Sequence, residues 1–158
     1  SSPTVTTETL RQMENHIPSA ASLLLKEPPL SVIGYGCTSA STVLGEARVQ
    51  ELVQSEHPGV PVTNPLSALK AAAAALGVTR LGLVSPYIRS VTDALEGELS
   101  ASDAEQATGK PFLCSNQVLA WHMLRLAGIT RTVPELGRLG SLGLAREDAV
   151  PLEREFVA

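Results

Sequence analysis

Charged and aromatic side chains are scarce in this sequence. Charged residues make up 18% of its 158 positions and aromatic residues 3%, and no cluster of Lys or Arg stands out. A protein surface that binds nucleic acid needs a basic stripe, commonly interleaved with aromatic side chains. The net charge of -4 and the lack of such a stripe argue against a nucleic-acid partner.

Long apolar runs and cysteines are scarce as well. No run is long enough to span a bilayer, and the opening Ser-Ser-Pro-Thr does not resemble a secretory signal, so we expect no membrane partner. The two cysteines, Cys37 and Cys114, could pair in principle, but both are predicted to lie at strand ends in a chain without a secretion signal. We therefore expect reduced thiols in a cytoplasmic protein.

Apolar residues are plentiful at 44%, enough for one core or two small lobes.

The most informative segment begins with residues 31–35, which predict a short buried strand, and Gly36 then permits a sharp turn. Residues 40–54 predict a helix with one apolar face. Cys37 would then lie where unpaired N–H groups and the helix dipole favour a thiolate, which makes it a candidate nucleophile. A buried structural cysteine beside a Ser/Thr cap is the alternative interpretation.

Strands alternate with helices along much of the chain. Further strands are predicted at residues 59–63, 80–84 and 109–114, each followed by a helix. This alternation is typical of an α/β fold, in which a parallel sheet carries helices on both faces and binds ligands at the carboxyl ends of its strands. Small polar residues follow every predicted strand. Plain helix capping is the favoured interpretation for three of them, namely Asn64, Ser115 and Asn116.

Apolar spacing, capping residues and prolines predict further helices and define the bounds of two of the helices that follow strands. One begins near Thr7 and a second is opened by Pro18 and runs to Lys26. The others cover residues 65–76, closed by Gly77, and residues 117–126. The segment after Thr130 is rich in Gly and Leu and has no clear pattern.

Two parts of the chain resemble each other. Residues 59–80 and residues 109–131 each read as a strand, a helix and a Gly-x-Thr-Arg ending. Such an echo indicates two related halves from a duplication, although two βα units can also match by chance. A complete second half would need a counterpart of the strand at 31–35, and residues 98–108 are too short and polar to provide it.

Three motifs carry a more specific resemblance. They are Tyr-Gly-Cys-Thr-Ser-Ala-Ser at 35–41, Leu-Val-Ser-Pro-Tyr at 83–87, and Cys-Ser-Asn-Gln-Val-Leu-Ala-Trp-His-Met-Leu-Arg-Leu-Ala-Gly at 114–128. Together they resemble the maleate cis-trans isomerases of the aspartate/glutamate racemase superfamily, to which arylmalonate decarboxylases are related. The resemblance extends to about residue 138.

The resemblance implies an α/β fold of two similar lobes, each a parallel sheet flanked by helices, with the active site between the lobes. Residues 1–76 and 111–158 would form the first lobe, which carries Cys37. Residues 77–110 would form a second lobe that is incomplete in this sequence. The family also implies a homodimer.

The activity implied by the resemblance is cofactor-independent isomerisation of maleate to fumarate. Cys37 matches the nucleophile that adds to the double bond, and a second cysteine from the other lobe would handle the proton on the neighbouring carbon. Thr38, Ser39 and Tyr87 match residues that hold the carboxylates of this small dicarboxylate substrate. Such a mechanism needs a thiolate and fixed donors for the developing negative charge, but no metal or other cofactor.

Two parts of the family pattern are missing from the sequence. The opening strand would precede Ser1, and the turn with the second cysteine would fall between about Leu99 and Ala104. Cys114 lies in a different motif and does not match that second cysteine. We hypothesise that the sequence omits flexible segments that close over the site.

Other functions stay open at this point. A racemase or an arylmalonate decarboxylase of the same superfamily is one alternative, although the decarboxylases are not expected to keep a thiol at Cys37. A catalytically inactive protein that binds small dicarboxylates is another.

The remaining polar and aromatic candidates are assigned structural roles. Arg125 and Trp121 are expected to pack or to lie at the surface, and His122 is interpreted as structural rather than as a base. His16 and His57 are expected at the surface and in a turn. No cluster of His, Cys and acidic residues has ligand spacing, so no metal site is predicted.

Overall fold

The computed structural model describes residues 7–78 and 110–145. The predicted strand at 80–84 and almost all of the predicted second lobe lie outside these residues, so the two-lobe architecture stays a prediction. The described helices are α1 (Thr7–Gln12), α2 (Ile17–Ala21), α3 (Thr38–Leu44), α4 (Glu46–Gln54), α5 (Pro65–Leu76) and α6 (Ser115–Leu126), with 3₁₀ segments at Met13–Asn15 and Pro134–Ser141. The described strands are β1 (Ile33–Gly34) and β2 (Val62–Thr63).

The two strands pair in parallel. Ile33 lies opposite Val62 and Gly34 opposite Thr63. The ladder continues beyond β1, where the Tyr35 amide donates to the Thr63 carbonyl over 2.8 Å. β-branched residues favour the extended backbone here, as expected for a buried strand. Both predicted strands are confirmed, although each is shorter than the sequence pattern indicated.

Helices cover both faces of this pair of strands. Ile33 packs with Ile17 and Ala21 of α2 and with Leu52 and Val53 of α4. Because successive side chains in a strand point to opposite faces, Gly34 faces the other side.

On that second face, α6 approaches Gly34 closely. A methyl group added at Gly34 would collide with the Met123 sulfur. The neighbouring residue His122 contacts the side chain of Thr63, which lies opposite Gly34. Helices therefore lie on both sides of this two-stranded parallel sheet.

The residues that predicted the start, interior and end of helix α5 all have those positions in the structure. Asn64 precedes Pro65 at the first helical position, the alanine-rich interior favours helix, and Gly77 ends the helix in the left-handed conformation at φ 65°. Its buried alanines permit a close approach to α6, and Ala68 and Ala72 share one core cluster with Trp121. The predicted bounds of this helix are confirmed.

Three of the predicted elements differ from the structure. The helix predicted across residues 40–54 is broken at Gly45, whose φ of 87° and ψ of 148° interrupt it between α3 and α4. The helix opened near Pro18 ends at Ala21 rather than at Lys26. The residues that follow Ala21 bury little apolar surface to support another turn, since Leu23 is 85% exposed.

The third difference concerns the strand predicted at 109–114. Residues 110–114 pair with neither β1 nor β2 and are not a strand. Pro111 has no amide hydrogen to donate to a ladder, which weakens a strand at this point. The segment nevertheless leads into α6, whose predicted end at Leu126 is confirmed.

Arg125 organises the segment after α6. Its side chain was expected to pack or to lie at the surface, and it is in fact only 7% exposed and donates four hydrogen bonds to backbone carbonyls. The accepting oxygens belong to Ile129 (2.7 Å), Gly140 and Leu142 (2.8 Å each) and Arg131 (3.3 Å). A guanidinium group suits this task because its donors point in several fixed directions within one plane. The Pro134–Ser141 segment is thereby held against the core, where Leu136 and Leu139 are buried.

Replacing Arg125 tests this account of the C-terminal segment. Arg125→Met keeps much of the apolar volume but removes four hydrogen bonds and leaves the carbonyls of Ile129 and Arg131 without this donor, so the free energy of unfolding falls by about 3 kcal/mol. Arg11→Met, on exposed α1, serves as the control and changes it by less than about 0.5 kcal/mol. Urea unfolding followed by circular dichroism measures both variants. Equal stability of the two variants would contradict a role for Arg125 in holding this segment.

Candidate functional site

Cys37 lies between β1 and α3, as predicted. Its backbone is extended, with φ -117° and ψ 105°, and it is the residue that precedes the first turn of α3. The thiol is free and half-buried. Because β1 and β2 are parallel, Cys37 lies at the carboxyl edge of the strand pair, where α/β proteins bind ligands.

Thr38 and Ser39 occupy the first turn of α3, directly beside Cys37. Thr38 is exposed and Ser39 is half-buried. The first backbone hydrogen bond of the helix runs from the Ser41 amide to the Cys37 carbonyl over 3.0 Å. The amides of the first turn therefore precede the helical hydrogen-bond ladder, and the structure brings these three predicted site residues together at its start.

The helix behind Cys37 is shorter than the sequence indicated. Because Gly45 breaks it, α3 has only seven residues. The Cys37 side chain makes no capping hydrogen bond with the first turn of this helix. The long continuous helix that the sequence predicted behind the sulfur is therefore replaced by two short helices, α3 and α4.

Tyr35 is the neighbour that sequence reasoning missed. Burial, together with the charge and the hydrogen-bond acceptor that the adjacent Cys37 thiol provides, raises the pKa of Tyr35 to about 12. Its hydroxyl oxygen is buried and makes no hydrogen bond of ordinary geometry among the residues that the structure describes, although the Cys37 sulfur is close enough to act on it. The alternation of the strand could have located Tyr35 on the same face as Ile33, but not its lack of a partner.

The side chains at the end of β2 have structural roles. Asn64 is 2% exposed, and its side-chain oxygen accepts hydrogen bonds from the amides of Leu66 (3.0 Å) and Ser67 (3.1 Å). This is a standard helix cap, so the capping interpretation of Asn64 is confirmed. Neither Ser115 nor Asn116 precedes α6, because Cys114 takes that position and Ser115 begins the helix.

His122 is held in place by two contacts. Its Nδ1 lies 2.7 Å from the hydroxyl oxygen of buried Thr63, and its ring stacks on Trp121 with centroids 5.9 Å apart. Burial lowers the pKa of His122 below its ordinary value of 6.5, so the neutral ring is favoured at neutral pH. The unfolded chain binds a proton at His122 more readily than the folded protein does. The contribution of neutral His122 to the free energy of unfolding is therefore lost as the pH falls below 6.5. These contacts agree with the structural interpretation of this residue.

The prediction for His57 is wrong in part. His57 does follow α4 in a turn, but it is only 5% exposed, and its Nε2 lies 2.9 Å from the Ala21 carbonyl oxygen. It therefore connects the turn to the end of α2, a long-range contact with no signal in the local sequence. His16 is exposed, as expected.

The other predicted parts of the site are not tested by this structure. Tyr87 lies outside the described residues, and so does the region of Leu99 to Ala104 where the second cysteine was expected to be missing. Cys114 is a free, half-buried thiol that precedes α6.

Within 7–78 and 110–145, no three His, Cys, Asp or Glu side chains are grouped so that they could hold a metal ion. None of the helices in these ranges has the length and apolar character needed to cross a bilayer.

Comparison with known proteins adds no assignment. The chain matches no family model, no curated protein and no solved structure. The resemblance to maleate isomerases therefore stays a prediction that is based on the three sequence motifs.

Asn64 and Asn116, the two asparagines that were interpreted as helix caps, give a direct test of that interpretation. Asn64→Ala removes the acceptor of two amides, so the free energy of unfolding falls by about 1–2 kcal/mol. Asn116→Ala, at an exposed position in the first turn of α6, changes it by less than about 0.5 kcal/mol. Thermal and urea unfolding measure both. An Asn64→Ala variant as stable as the parent would contradict the interpretation of this side chain as a stabilising helix cap.

Proposed function

We propose that this chain is a cofactor-independent isomerase that converts maleate to fumarate, with Cys37 as the nucleophile. The observation that carries the proposal is the free, half-buried Cys37 thiol at the carboxyl edge of a parallel strand pair. A thiol at this edge can meet a small ligand while its surroundings exclude most of the solvent. The three sequence motifs supply the choice of substrate.

The proposed reaction begins when the Cys37 thiolate attacks one alkene carbon of maleate. A carbon–sulfur bond forms, and the π-electron pair moves to the adjacent carbon, where the neighbouring carboxylate delocalises it. The former double bond is now a single bond and can rotate. Expulsion of the thiolate then restores the double bond in its trans form. Atoms and electrons balance over the cycle, since substrate and product are isomers and the thiolate is regenerated.

The proposal assigns the neighbouring polar groups to substrate binding. Thr38 and Ser39 are adjacent to the sulfur in the first turn of α3 and would donate to one carboxylate. Tyr87 would hold the second carboxylate, and a thiol from the second lobe would exchange a proton with the carbon next to the attacked one. The proposal also includes a cytoplasmic location and a homodimer.

The activity is tested by following the loss of the conjugated absorbance of maleate, with fumarate identified by NMR. Cys37→Ala lowers kcat by at least about a thousandfold, because no other group replaces the nucleophile. Cys114→Ala, the matched control, leaves kcat essentially unchanged. Circular dichroism establishes that both variants are folded.

Two results would contradict the proposal. Near-normal turnover in Cys37→Ala would remove the nucleophile assignment. Binding of maleate without any turnover by the complete protein would favour an inactive dicarboxylate-binding protein instead.

A further inference from the structure

The Tyr35 hydroxyl is an unusual buried group. Its oxygen is shielded from solvent and has no hydrogen-bond partner among the described residues. Leaving such a group unsatisfied costs about 1–3 kcal/mol, so buried hydroxyls nearly always have partners. A residue such as Phe would fill the same space without this cost, and the hydroxyl therefore calls for an explanation.

Apart from its hydroxyl, Tyr35 contributes to the pairing of the strands and to the packing of the core. Its amide donates to the Thr63 carbonyl over 2.8 Å, which extends the pairing of β1 with β2. Its side chain packs against the core cluster of Ile33 and Val53 and lines a cleft of about 290 Å³ with Met13 and Ile17. These contacts anchor the backbone and the side chain, and they include no hydrogen bond of the hydroxyl.

The group that acts on the hydroxyl is the Cys37 thiol, two residues further along the chain. Burial is the larger cause of the raised pKa of Tyr35, and the Cys37 sulfur, acting on the hydroxyl through its charge and as a hydrogen-bond acceptor, contributes the rest, to a pKa of about 12. The phenol consequently keeps its proton throughout the pH range in which an ordinary thiol ionises. It is then a permanent donor beside a sulfur that becomes a good acceptor only as a thiolate.

We propose that Tyr35 is a positioning residue for Cys37, whose phenol O–H donates a hydrogen bond to the sulfur when the sulfur is a thiolate. The inference rests on the proposed function in taking Cys37 as the nucleophile. The hydrogen bond stabilises the thiolate and fixes its direction at the edge of the strand pair. It also compensates for the shortness of α3, which makes no capping hydrogen bond with the Cys37 side chain.

Cys114 provides an internal comparison. It also precedes a helix, and α6, with 12 residues, is longer than α3 with seven. Cys114 therefore shares the helix-terminal position of Cys37 without a tyrosine two residues before it, and it is the matched control for the effect of Tyr35 on Cys37.

The test compares the parent protein with Tyr35→Phe by alkylation with iodoacetamide, using peptide mass spectrometry to follow both cysteines in one sample. Near pH 7, Cys37 in Tyr35→Phe reacts about tenfold more slowly, because the thiolate loses a charge-assisted donor. The pH dependence of the Cys37 alkylation rate moves to higher pH in this variant. The alkylation rate of Cys114 and its pH dependence do not change. The stability of Tyr35→Phe is equal to or above that of the parent, since an unsatisfied hydroxyl has been removed.

A second measurement on the parent protein does not depend on how the variant folds. With ¹³C-labelled tyrosine, the ring carbon that bears the Tyr35 hydroxyl shifts when Cys37 ionises, and Cys37→Ala abolishes this shift. An unchanged alkylation rate and pH profile in Tyr35→Phe, or a Tyr35 signal that is insensitive to Cys37, would overturn the inference. Neither assay uses maleate, so failure of the proposed isomerase activity is recorded separately by the absorbance assay.

Discussion

The parallel pairing of β1 with β2 is the constraint on which the described structure depends. The register that places Gly34 opposite Thr63 decides which side chains point to each helix layer. It also brings the residues that follow both strands to one edge, so that Cys37 and Asn64 begin their helices on the same side of the sheet. A shift by one residue would move Ile33 out of its core cluster and bring a side chain toward α6 where only glycine fits.

The two faces of the strand pair serve different purposes. On the face of α6, tight packing and buried hydrogen bonds give rigidity: Met123 lies over Gly34, Thr63 contacts His122, and Arg125 fixes the following segment. On the other face, Tyr35 extends the apolar cluster but ends in a hydroxyl that the fold does not satisfy. The first face supports the position of the strand ends, and the second provides a polar group near Cys37.

Local patterns in the sequence predicted helices and strands better than they predicted long-range contacts. Alternation and β-branched residues indicated both strands, and the Asn64 cap, Pro65 and Gly77 defined α5. The break at Gly45 was missed because one glycine within an apolar pattern is compatible with a continuous helix, and nothing in the pattern indicates the positive φ of 87° that Gly45 adopts.

Long-range contacts could not be predicted from these patterns. The Arg125 hydrogen bonds, the contact between His57 and Ala21, and the pairing of Thr63 with His122 join residues that no local periodicity connects. For the candidate site, sequence reasoning placed Cys37, Thr38 and Ser39 correctly because they are adjacent in the chain. It passed over Tyr35, since only the fold shows that its hydroxyl is buried without a partner.

The central claim is that the Cys37 sulfur bonds reversibly to an electron-poor alkene at the edge of this strand pair. The most direct measurement is intact-protein and peptide mass spectrometry after rapid acid quenching of the complete protein during exposure to maleate. The account predicts that the mass of one substrate molecule is added to the peptide that contains Cys37, and that this adduct disappears when the substrate is consumed. An unmodified Cys37 peptide during active turnover, or equal modification of Cys114, would contradict it.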